Sequence, residues 1–426
     1  MVSLNYGRGQ VELPLPSGVD ATVIRKPPMR TIDDPGAAIA RALDEPVNSP
    51  PLCTIARGAS SACIAICDVT RPVPNGLFLR PMIERLSDSG ITMDRITVLV
   101  ATGLHRPNEG AELEELVGDR WVLDHVAVEN HFARNDADHI DLGLTSTRGT
   151  EVRIDRRFVE ADVRIATGLV EPHFMAGYSG GRKVIAPGLA HARTITTFHS
   201  SRFMADPATA NCNFDSNPLH EEQLEIVRLL GGALALNTVI DEDRNLAMVN
   251  FGEIVSSHQQ AVEFVRGYCE IGVPRRFSTV VTSAAGYPLD KTYYQTVKGL
   301  VGAINILEPG GDLIIASECS EGLGSVEFIE SQRRLVEMGP QGFLESILEK
   351  SHADIDEWQT QMQLGPMSRG TLHLYSDKLS PDQRALTGVD CVESLAEVVA
   401  ASLRRHGDHS LAVIPEGPYV IPFYRP

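Results

Sequence analysis

Two histidines follow the same four-residue sequence at separate places in the chain. Ala-Thr-Gly-Leu occupies residues 101–104, directly before His105, and residues 166–169, shortly before His173. Each copy closes an apolar run, and ligands of open parallel sheets collect at the carboxyl ends of strands, so we expect both imidazoles in one crevice. An ordinary pKa of about 6.5 lets each act as acid or base. Such a pair suits the removal and return of hydrogen on opposite faces of one stereocentre; two purely structural histidines are the alternative.

A glycine-rich segment follows His173. Residues 175–184 read Met-Ala-Gly-Tyr-Ser-Gly-Gly-Arg-Lys-Val, which places bare backbone amides beside Arg182 and Lys183. Backbone amides of this kind can hold an anionic group. The spacing is not that of a Walker A loop, because Arg182 stands where the second glycine belongs and no Ser or Thr follows Lys183. A simple tight turn is the alternative interpretation.

His199 is a candidate metal ligand in the segment after Lys183. The chain contains no HExxH sequence and no group of closely spaced histidines, so a zinc hydrolase is not indicated. A metal bound by one histidine would need a cofactor that supplies the other ligands.

Two further segments carry polar side chains that could bind an acid. Asp68 ends an apolar run and is followed by Thr70 and Arg71 in a loop stiffened by prolines; Arg71 could bind a carboxylate with two hydrogen bonds. Tyr294 and Lys298 are four residues apart and would share one helical face. A solvated helix surface is the alternative for that pair.

The elements that must position these residues follow a repeating pattern of short β-branched runs, glycine-containing loops and helices. This pattern predicts α/β domains with largely parallel sheets. The predicted strands span residues 63–68, 96–101, 163–166, 278–283 and 313–317. One helix should begin after Asp34, with Pro35 in its first turn, and another should bury Val392, Leu395, Val399 and Leu403 and end at Gly407.

A polar stretch before residue 273 resembles a linker, so we predict two α/β domains with an active-site cleft between them. The first comprises residues 1–272 and carries the histidines and Lys183. The second comprises residues 273–407 and contributes the Tyr294 and Lys298 segment. Residues 408–426 are expected to pack back on the first domain.

The composition limits the classes of partner. The 426 residues include 56 acidic and 38 basic side chains, a net charge of −18, which argues against a nucleic-acid or anionic-membrane surface. The sequence shows neither a signal-peptide pattern nor an apolar stretch of membrane-spanning length, so a cytoplasmic location is expected. The seven cysteines form no CxxC pair, which indicates neither a disulfide scaffold nor a structural zinc site.

Four segments together resemble the nickel-pincer nucleotide-dependent lactate racemase family, and the resemblance spans most of the chain. They are DVTRPVP at 68–74, ATGLHRP at 101–107, EPHFMAGYSGGRK at 171–183 and YYQTVKG at 293–299. In that family a pyridinium mononucleotide with two sulfur donors is joined to a lysine by a thioamide and binds nickel. The matching lysine is Lys183, and His199 matches the nickel-binding histidine.

The resemblance also assigns the remaining positions. His105 and His173 match the two catalytic bases, while Arg71, Lys298 and Trp358 match substrate-binding residues. The positions expected to bind the cofactor are Lys183, Asp68, Thr70, Ser179, Gly180, Gly181, Tyr294 and Gln295.

The activity implied by the resemblance is a racemase or epimerase that inverts C2 of a 2-hydroxy acid, either lactate or a larger acid such as a sugar acid. Hydride would pass reversibly to the nickel-pincer nucleotide, and separate biosynthetic enzymes would have to supply that cofactor. Two alternatives stay open: a net dehydrogenase or isomerase with the same cofactor, and a non-catalytic protein that binds nickel or a phosphorylated ligand. The presence of both histidines favours catalysis, because carriage needs no pair of bases.

Overall fold

The structure, a computed structural model, describes residues 1–426. Its strands are β1 (Val2–Tyr6), β2 (Gly9–Leu13), β3 (Asp20–Val23), β4 (Ala62–Cys67), β5 (Ile96–Ala101), β6 (Ala127–Asn130), β7 (His139–Leu144), β8 (Glu151–Asp155), β9 (Val163–Leu169), β10 (Pro172–His173), β11 (Gly177–Tyr178), β12 (Leu234–Ile240), β13 (Leu246–Glu253), β14 (Glu270–Val273), β15 (Phe277–Ser283), β16 (Leu307–Ala316), β17 (Gly370–Tyr375), β18 (Asp390–Val392), β19 (Ser410–Ile414) and β20 (Ile421–Tyr424).

The α-helices alternate with these strands over most of the chain. They are α1 (Pro35–Asp44), α2 (Leu52–Ala56), α3 (Asn75–Asp88), α4 (Gly110–Val117), α5 (Arg120–His125), α6 (Arg156–Val159), α7 (Arg182–Ile185), α8 (Ala192–Phe198), α9 (Ser201–Met204), α10 (Pro218–Leu229), α11 (Ile254–Cys269), α12 (Tyr293–Ala303), α13 (Val326–Leu348), α14 (Glu357–Arg369), α15 (Pro381–Leu386) and α16 (Leu395–His406).

The first sheet has six strands in the order β13-β12-β9-β4-β5-β6. All neighbours are parallel except β13, which runs antiparallel to β12 at one edge. The central strand β4 is apolar along most of its length and buried on both faces, as parallel strands covered by helices are. The predicted strands at 63–68, 96–101 and 163–166 correspond to β4, β5 and β9.

The second sheet also has six strands, in the order β18-β17-β16-β15-β19-β3, and every neighbouring pair is parallel. The predicted strands at 278–283 and 313–317 correspond to β15 and the end of β16. The predicted fold class, α/β with largely parallel sheets, is therefore confirmed.

The predicted course of the two chain ends is wrong in part. Strand β19 inserts between β15 and β3 of the second sheet instead of returning to the first, and its apolar residues are buried there. Strand β3 forms the edge of the same sheet, so the first 24 residues do not belong with the first sheet. Only β20 lies beside the first domain: it pairs with β14 in a separate two-stranded sheet, and Ile421 shares an apolar cluster with Val262 and Val265 of α11.

The two helices predicted from their ends form as expected, with one adjustment. The Asp34 carboxylate accepts a hydrogen bond from the backbone N–H of Ala37 at 3.0 Å, and Pro35 opens α1. Gly407 ends α16 with a φ of 62°. Helix α16 begins only at Leu395, because Val392 belongs to β18.

Candidate active site

The crevice lies at the carboxyl ends of three adjacent strands. Strand β4 lies between β5 and β9. The chain passes from β4 to β5 and β6 on one side of the sheet and then places β9 on the other side of β4. Such a reversal of strand order opens a crevice for ligands. Asp68, His105 and His173 all lie just beyond these three strand ends.

His105 is held by a carboxylate. Its Nδ1 lies 2.6 Å from Oδ2 of Asp68, and the Thr70 hydroxyl donates to the other carboxylate oxygen at 2.5 Å. The protein around the ring disfavours its charged form, but the charge and hydrogen bond of Asp68 outweigh this effect and leave the pKa of His105 raised. Nδ1 therefore donates to Asp68, and Nε2 of His105 has a free lone pair whenever the ring is neutral.

His173 has a different environment, in which the ring is 7% exposed. Its Nδ1 accepts backbone hydrogen bonds from Met175 at 3.3 Å and Ala176 at 3.1 Å. Burial, followed by the charges of Lys183 and Arg71, holds the pKa of His173 well below its usual range. The ring is therefore neutral near pH 7, and its proton resides on Nε2.

The glycine-rich segment places Lys183 in the same crevice. Gly180 and Gly181 have φ angles of 79° and 50°, and a Cβ on Gly181 would stand 2.7 Å from the His258 ring. Ser179 uses its hydroxyl inside the loop, where it donates to the Leu169 carbonyl at 2.7 Å. The segment is thus a tight turn that also delivers a lysine.

Lys183 has no carboxylate partner within ion-pair distance. Burial lowers the pKa of its amine to about 7, and the charges of Arg71, Lys298 and Arg182 act in the same direction. A lysine with such a pKa is neutral, and therefore nucleophilic, in about half of the molecules at pH 7.

His199 follows α8 and presents one nitrogen for a ligand. Its Nδ1 donates to the Ile195 carbonyl at 2.9 Å, which fixes the tautomer with a lone pair on Nε2. Burial lowers the pKa of His199 to about 3. No three His, Cys, Asp or Glu side chains gather as a metal site, so a metal here would need ligands from another molecule.

The second domain closes the crevice with α12 and α14. The Trp358 ring centroid is 4.8 Å from that of His199. Lys298 points toward the Phe174 ring at 5.8 Å, and burial lowers its pKa to about 7, which does not fit a solvated helix surface. Gln295 has a buried side-chain oxygen without a hydrogen-bond partner. A buried acceptor of this kind fits a donor on a bound molecule.

The comparisons with known proteins agree over most of the chain. Residues 6–211 match the family model described as the lactate racemase N-terminal domain, and residues 274–421 match the lactate racemase C-terminal domain. A lactate racemase from Thermoanaerobacterium thermosaccharolyticum is 30% identical over 90% of this chain and 89% of its own length. The corresponding values for a lactate racemase from Lactiplantibacillus plantarum are 29%, 90% and 90%.

The chain belongs to the lactate racemase family. It is accordingly an isomerase. The structure of the lactate racemase apoprotein from Thermoanaerobacterium thermosaccharolyticum superposes with a TM-score of 0.90 at 27% identity and covers 99% of both chains. No helix of this lactate racemase family member has the length and apolarity of a membrane span.

Sequence analysis missed the partner of Arg71. In this racemase family member, Nη1 of Arg71 forms an ion pair with Glu171. Glu171 and Pro172 also line a cavity of about 400 Å³ that extends from Pro72 to Tyr287 and Tyr419 of the other domain. The only sequence signal was the position of Glu171 in the segment that ends at Lys183.

A second missed residue is Asp356, directly before α14. It accepts a hydrogen bond from the Ser325 hydroxyl at 2.5 Å and adopts a φ of 63°. Burial raises the pKa of Asp356, and its charge acts on His105 across the crevice. Nothing in the sequence marked this carboxylate, because its position depends on how the two domains meet.

Proposed function

We propose that this member of the lactate racemase family inverts C2 of a 2-hydroxy acid by reversible hydride transfer, with a nickel-pincer nucleotide carried on Lys183. The observation that carries the proposal is the convergence of His105, His173 and Lys183 in one crevice from three segments of the chain. The neutral rings of these histidines differ in tautomer, so Nε2 of His105 can accept a proton while Nε2 of His173 donates a hydrogen bond.

The residues of the crevice fit such a cofactor. Lys183 offers a neutral amine for a thioamide bond, and His199 offers a single nitrogen to a nickel ion whose other ligands come with the cofactor. Gln295 supplies an unpaired acceptor. When bound, the pincer nucleotide would supply the acceptor for the hydride that leaves C2.

The chain's own residues would manage the substrate and its proton. Arg71 and Lys298 are cationic anchors for a carboxylate, and Lys298 can also approach the C2 hydroxyl. His105 or His173 would take the hydroxyl proton as C2 becomes planar, and proton return after reduction on the opposite face would give the other enantiomer. Trp358 and the α12 and α14 helices would exclude water from the intermediate 2-keto acid.

The substrate class is proposed from the relatives. The two curated relatives are named as lactate racemases, which favours lactate. The cavity lined by Glu171 has a volume of about 400 Å³ and lies beside the crevice. Larger 2-hydroxy acids, including sugar acids, should therefore be tested as substrates together with lactate.

The test is to produce the chain together with cofactor-synthesising enzymes, then to measure intact mass, bound nickel and the interconversion of single-enantiomer 2-hydroxy acids. We expect one adduct on Lys183 and racemisation of at least one acid. Lys183→Arg keeps the positive side chain but should lose adduct and activity, whereas Lys378→Arg, at an exposed site, should lose neither. A loaded chain that racemises no 2-hydroxy acid would instead support a carrier of nickel or of a phosphorylated ligand.

A further inference from the structure

The cavity of about 400 Å³ beside the crevice is lined by residues from both halves of the chain. Its lining includes the last residues of the parallel strands β9 and β12. Pro72 and Pro172 also line it, and they are neighbours in the chain of Arg71 and His173. The cavity therefore lies where ligands of parallel sheets bind, and it adjoins the proposed anchor of the substrate carboxylate.

The carboxylates that line this cavity already have partners. The ion pairs are Glu171 with Arg71, Glu242 with Lys26 at 3.0 Å, and Glu416 with Arg25 at 2.7 Å. The fourth carboxylate, Asp241, accepts hydrogen bonds within its own turn, including one from the backbone N–H of Asn245 at 2.8 Å. Arg8 and Arg244 line the same cavity, and neither guanidinium has a carboxylate within ion-pair distance. Two positive charges of the lining thus lack an anionic partner.

Arg8 is placed at the cavity by the turn between β1 and β2. The N–H of Gly7 donates to the Asp290 carboxylate at 2.6 Å, and the Gly7 carbonyl accepts from the N–H of Tyr287 at 2.7 Å. The guanidinium carbon of Arg8 lies 3.7 Å from the centre of the Tyr287 ring. Stacking on a ring face leaves the N–H groups at the guanidinium edge free to bind an anion.

Arg244 lies in the turn between β12 and β13. Its φ is 65°, a conformation that a residue other than glycine adopts at a cost. Burial raises the pKa of Tyr419, another lining residue, and the charges of Arg71 and Arg244 oppose this rise. Arg244 and the proposed anchor Arg71 therefore both lie near the hydroxyl of Tyr419.

We propose that this cavity is an anion subsite in which Arg8 and Arg244 bind the distal carboxylate of a dicarboxylic 2-hydroxy acid, while Arg71 binds the carboxylate next to C2. Guanidinium N–H groups match the two oxygens of a carboxylate, whereas lactate would leave both cavity arginines unused. The position of C2 rests on the proposed function. Binding in the cavity can be measured without the cofactor, so the two proposals can fail separately.

The experiment uses the full chain produced without cofactor-synthesising enzymes and measures dissociation constants by titration calorimetry. The probes are malate, 2-hydroxyglutarate and 2-hydroxyadipate, each compared with the derivative in which an amide replaces the distal carboxylate. The amide has nearly the same shape but no charge. We expect at least one diacid to bind about tenfold more tightly than its own amide, because a hydrogen bond to a charged group contributes that much. If no diacid binds more tightly than its amide, the proposal is wrong.

Substitution of the two arginines locates the distal carboxylate. Arg8→Gln and Arg244→Gln should each weaken binding of the preferred diacid about tenfold and leave binding of its amide unchanged. Both side chains are exposed, so neither substitution removes a buried contact. Arg8→Lys keeps the charge and should restore part of the lost affinity.

Arg95→Gln is the matched control. Arg95 is also exposed and without an ion pair, but it directly precedes β5 and so lies at the amino end of the first sheet. Its substitution should change the affinity of neither ligand. Equal weakening of the diacid and its amide in Arg8→Gln, or loss of diacid affinity in Arg95→Gln, overturns the proposal.

Inorganic phosphate, as a further ligand, distinguishes a free anion from the far end of a substrate. If phosphate binds more tightly than every diacid and loses affinity in Arg8→Gln, the cavity binds a free anion and the substrate assignment is wrong. In the loaded chain, Arg8→Gln should raise KM for the preferred diacid about tenfold with little change in kcat. A loaded chain that binds a diacid through Arg8 but racemises no acid would refute the proposed function and leave the anion subsite in place.

Discussion

The surroundings of His105 and His173 differ although the same four residues precede both. The side chain of His105 is 55% exposed and forms a hydrogen bond with the Asp68 carboxylate, which raises the pKa of His105. His173 is buried among cations and accepts two backbone hydrogen bonds, and its pKa is lowered. A repeated sequence thus places both histidines beyond the ends of the two strands that flank β4, but it does not make them equivalent bases.

The difference sets the proton positions in the proposed reaction. When both rings are neutral, Nε2 of His105 is a free acceptor, whereas Nε2 of His173 carries the hydrogen. His105 is therefore ready to accept the hydroxyl proton. For His173 to accept one at Nε2, its Nδ1 must carry the hydrogen instead, and the contacts with Met175 and Ala176 must open.

The largest expected effect comes from removing either imidazole. His105→Asn and His173→Asn should each lower racemisation by about 10²–10⁴-fold, the usual contribution of a general acid or base. Chiral analysis of the loaded variants measures the loss, and intact mass confirms that the Lys183 adduct remains. His125→Asn, on the exposed helix α5, is the control. If either active-site variant racemises the acid at the rate of the parent chain, the assignment of two catalytic bases is wrong.

A smaller effect should follow from Asp68→Asn, which removes the carboxylate beside His105 and leaves the surroundings of His173 unchanged. Loss of the carboxylate lowers the pKa of His105, so the limb of the kcat–pH profile that reports His105 should move to lower pH, with activity reduced roughly 10–100-fold. The limb that reports His173 should stay in place.

The two reaction directions provide an internal check on the Asp68→Asn profile. For an acid with one stereocentre the enantiomers have equal free energy, so kcat/KM must agree in both directions at every pH. A difference between the two directions that arises from the unequal histidines can therefore appear only in kcat and in KM, and not in their ratio. A shift of both limbs in Asp68→Asn would show that the carboxylate does not act on His105 alone.

The smallest effect concerns stability against pH. The depressed pKa of His173 means that the unfolded chain binds its proton first, so stability is lost as pH falls below about 6.5. The raised pKa of His105 stabilises the fold below about 6.5, and that contribution is lost as pH rises through the folded value.

Melting temperatures of the two single variants should therefore move in opposite directions. Relative to the parent chain, His173→Asn should gain stability at about pH 5.5 compared with pH 8.5, and His105→Asn should lose it, each by a few degrees or less. Parallel pH trends in both variants would contradict the assigned environments.

The positions of five strands, the helix caps and the fold class could be predicted from the sequence because they depend on local patterns. Apolar runs identified β4, β5, β9, β15 and β16, and the cap at Asp34 formed as its side chain requires. The placement of β3 and β19 could not be predicted, because several buried edges compete for any apolar strand and local sequence does not select among them.

Prediction of the site from the sequence is limited in the same way: motifs identify residues but not their surroundings. Motifs named His105, His173, Lys183 and His199, whereas Asp356 emerged only because α14 packs against α12 and the charge of Asp356 reaches His105. The roles of the named residues stay predictions. Their unequal environments arise from burial and neighbouring charges, and neither can be derived from the spacing of residues along the chain.

The two halves of the chain exchange strands. Strand β3, near the start of the chain, completes the second sheet, and β20, near its end, pairs with β14 of the first half. A fragment starting at residue 273 would lack β3 and leave the edge of β19 open to pairing with other chains. It would also lose the β14 partner of β20. Dissection at that boundary would thus yield aggregation-prone pieces, and a circular permutant would be the sounder way to express the second sheet with all of its strands.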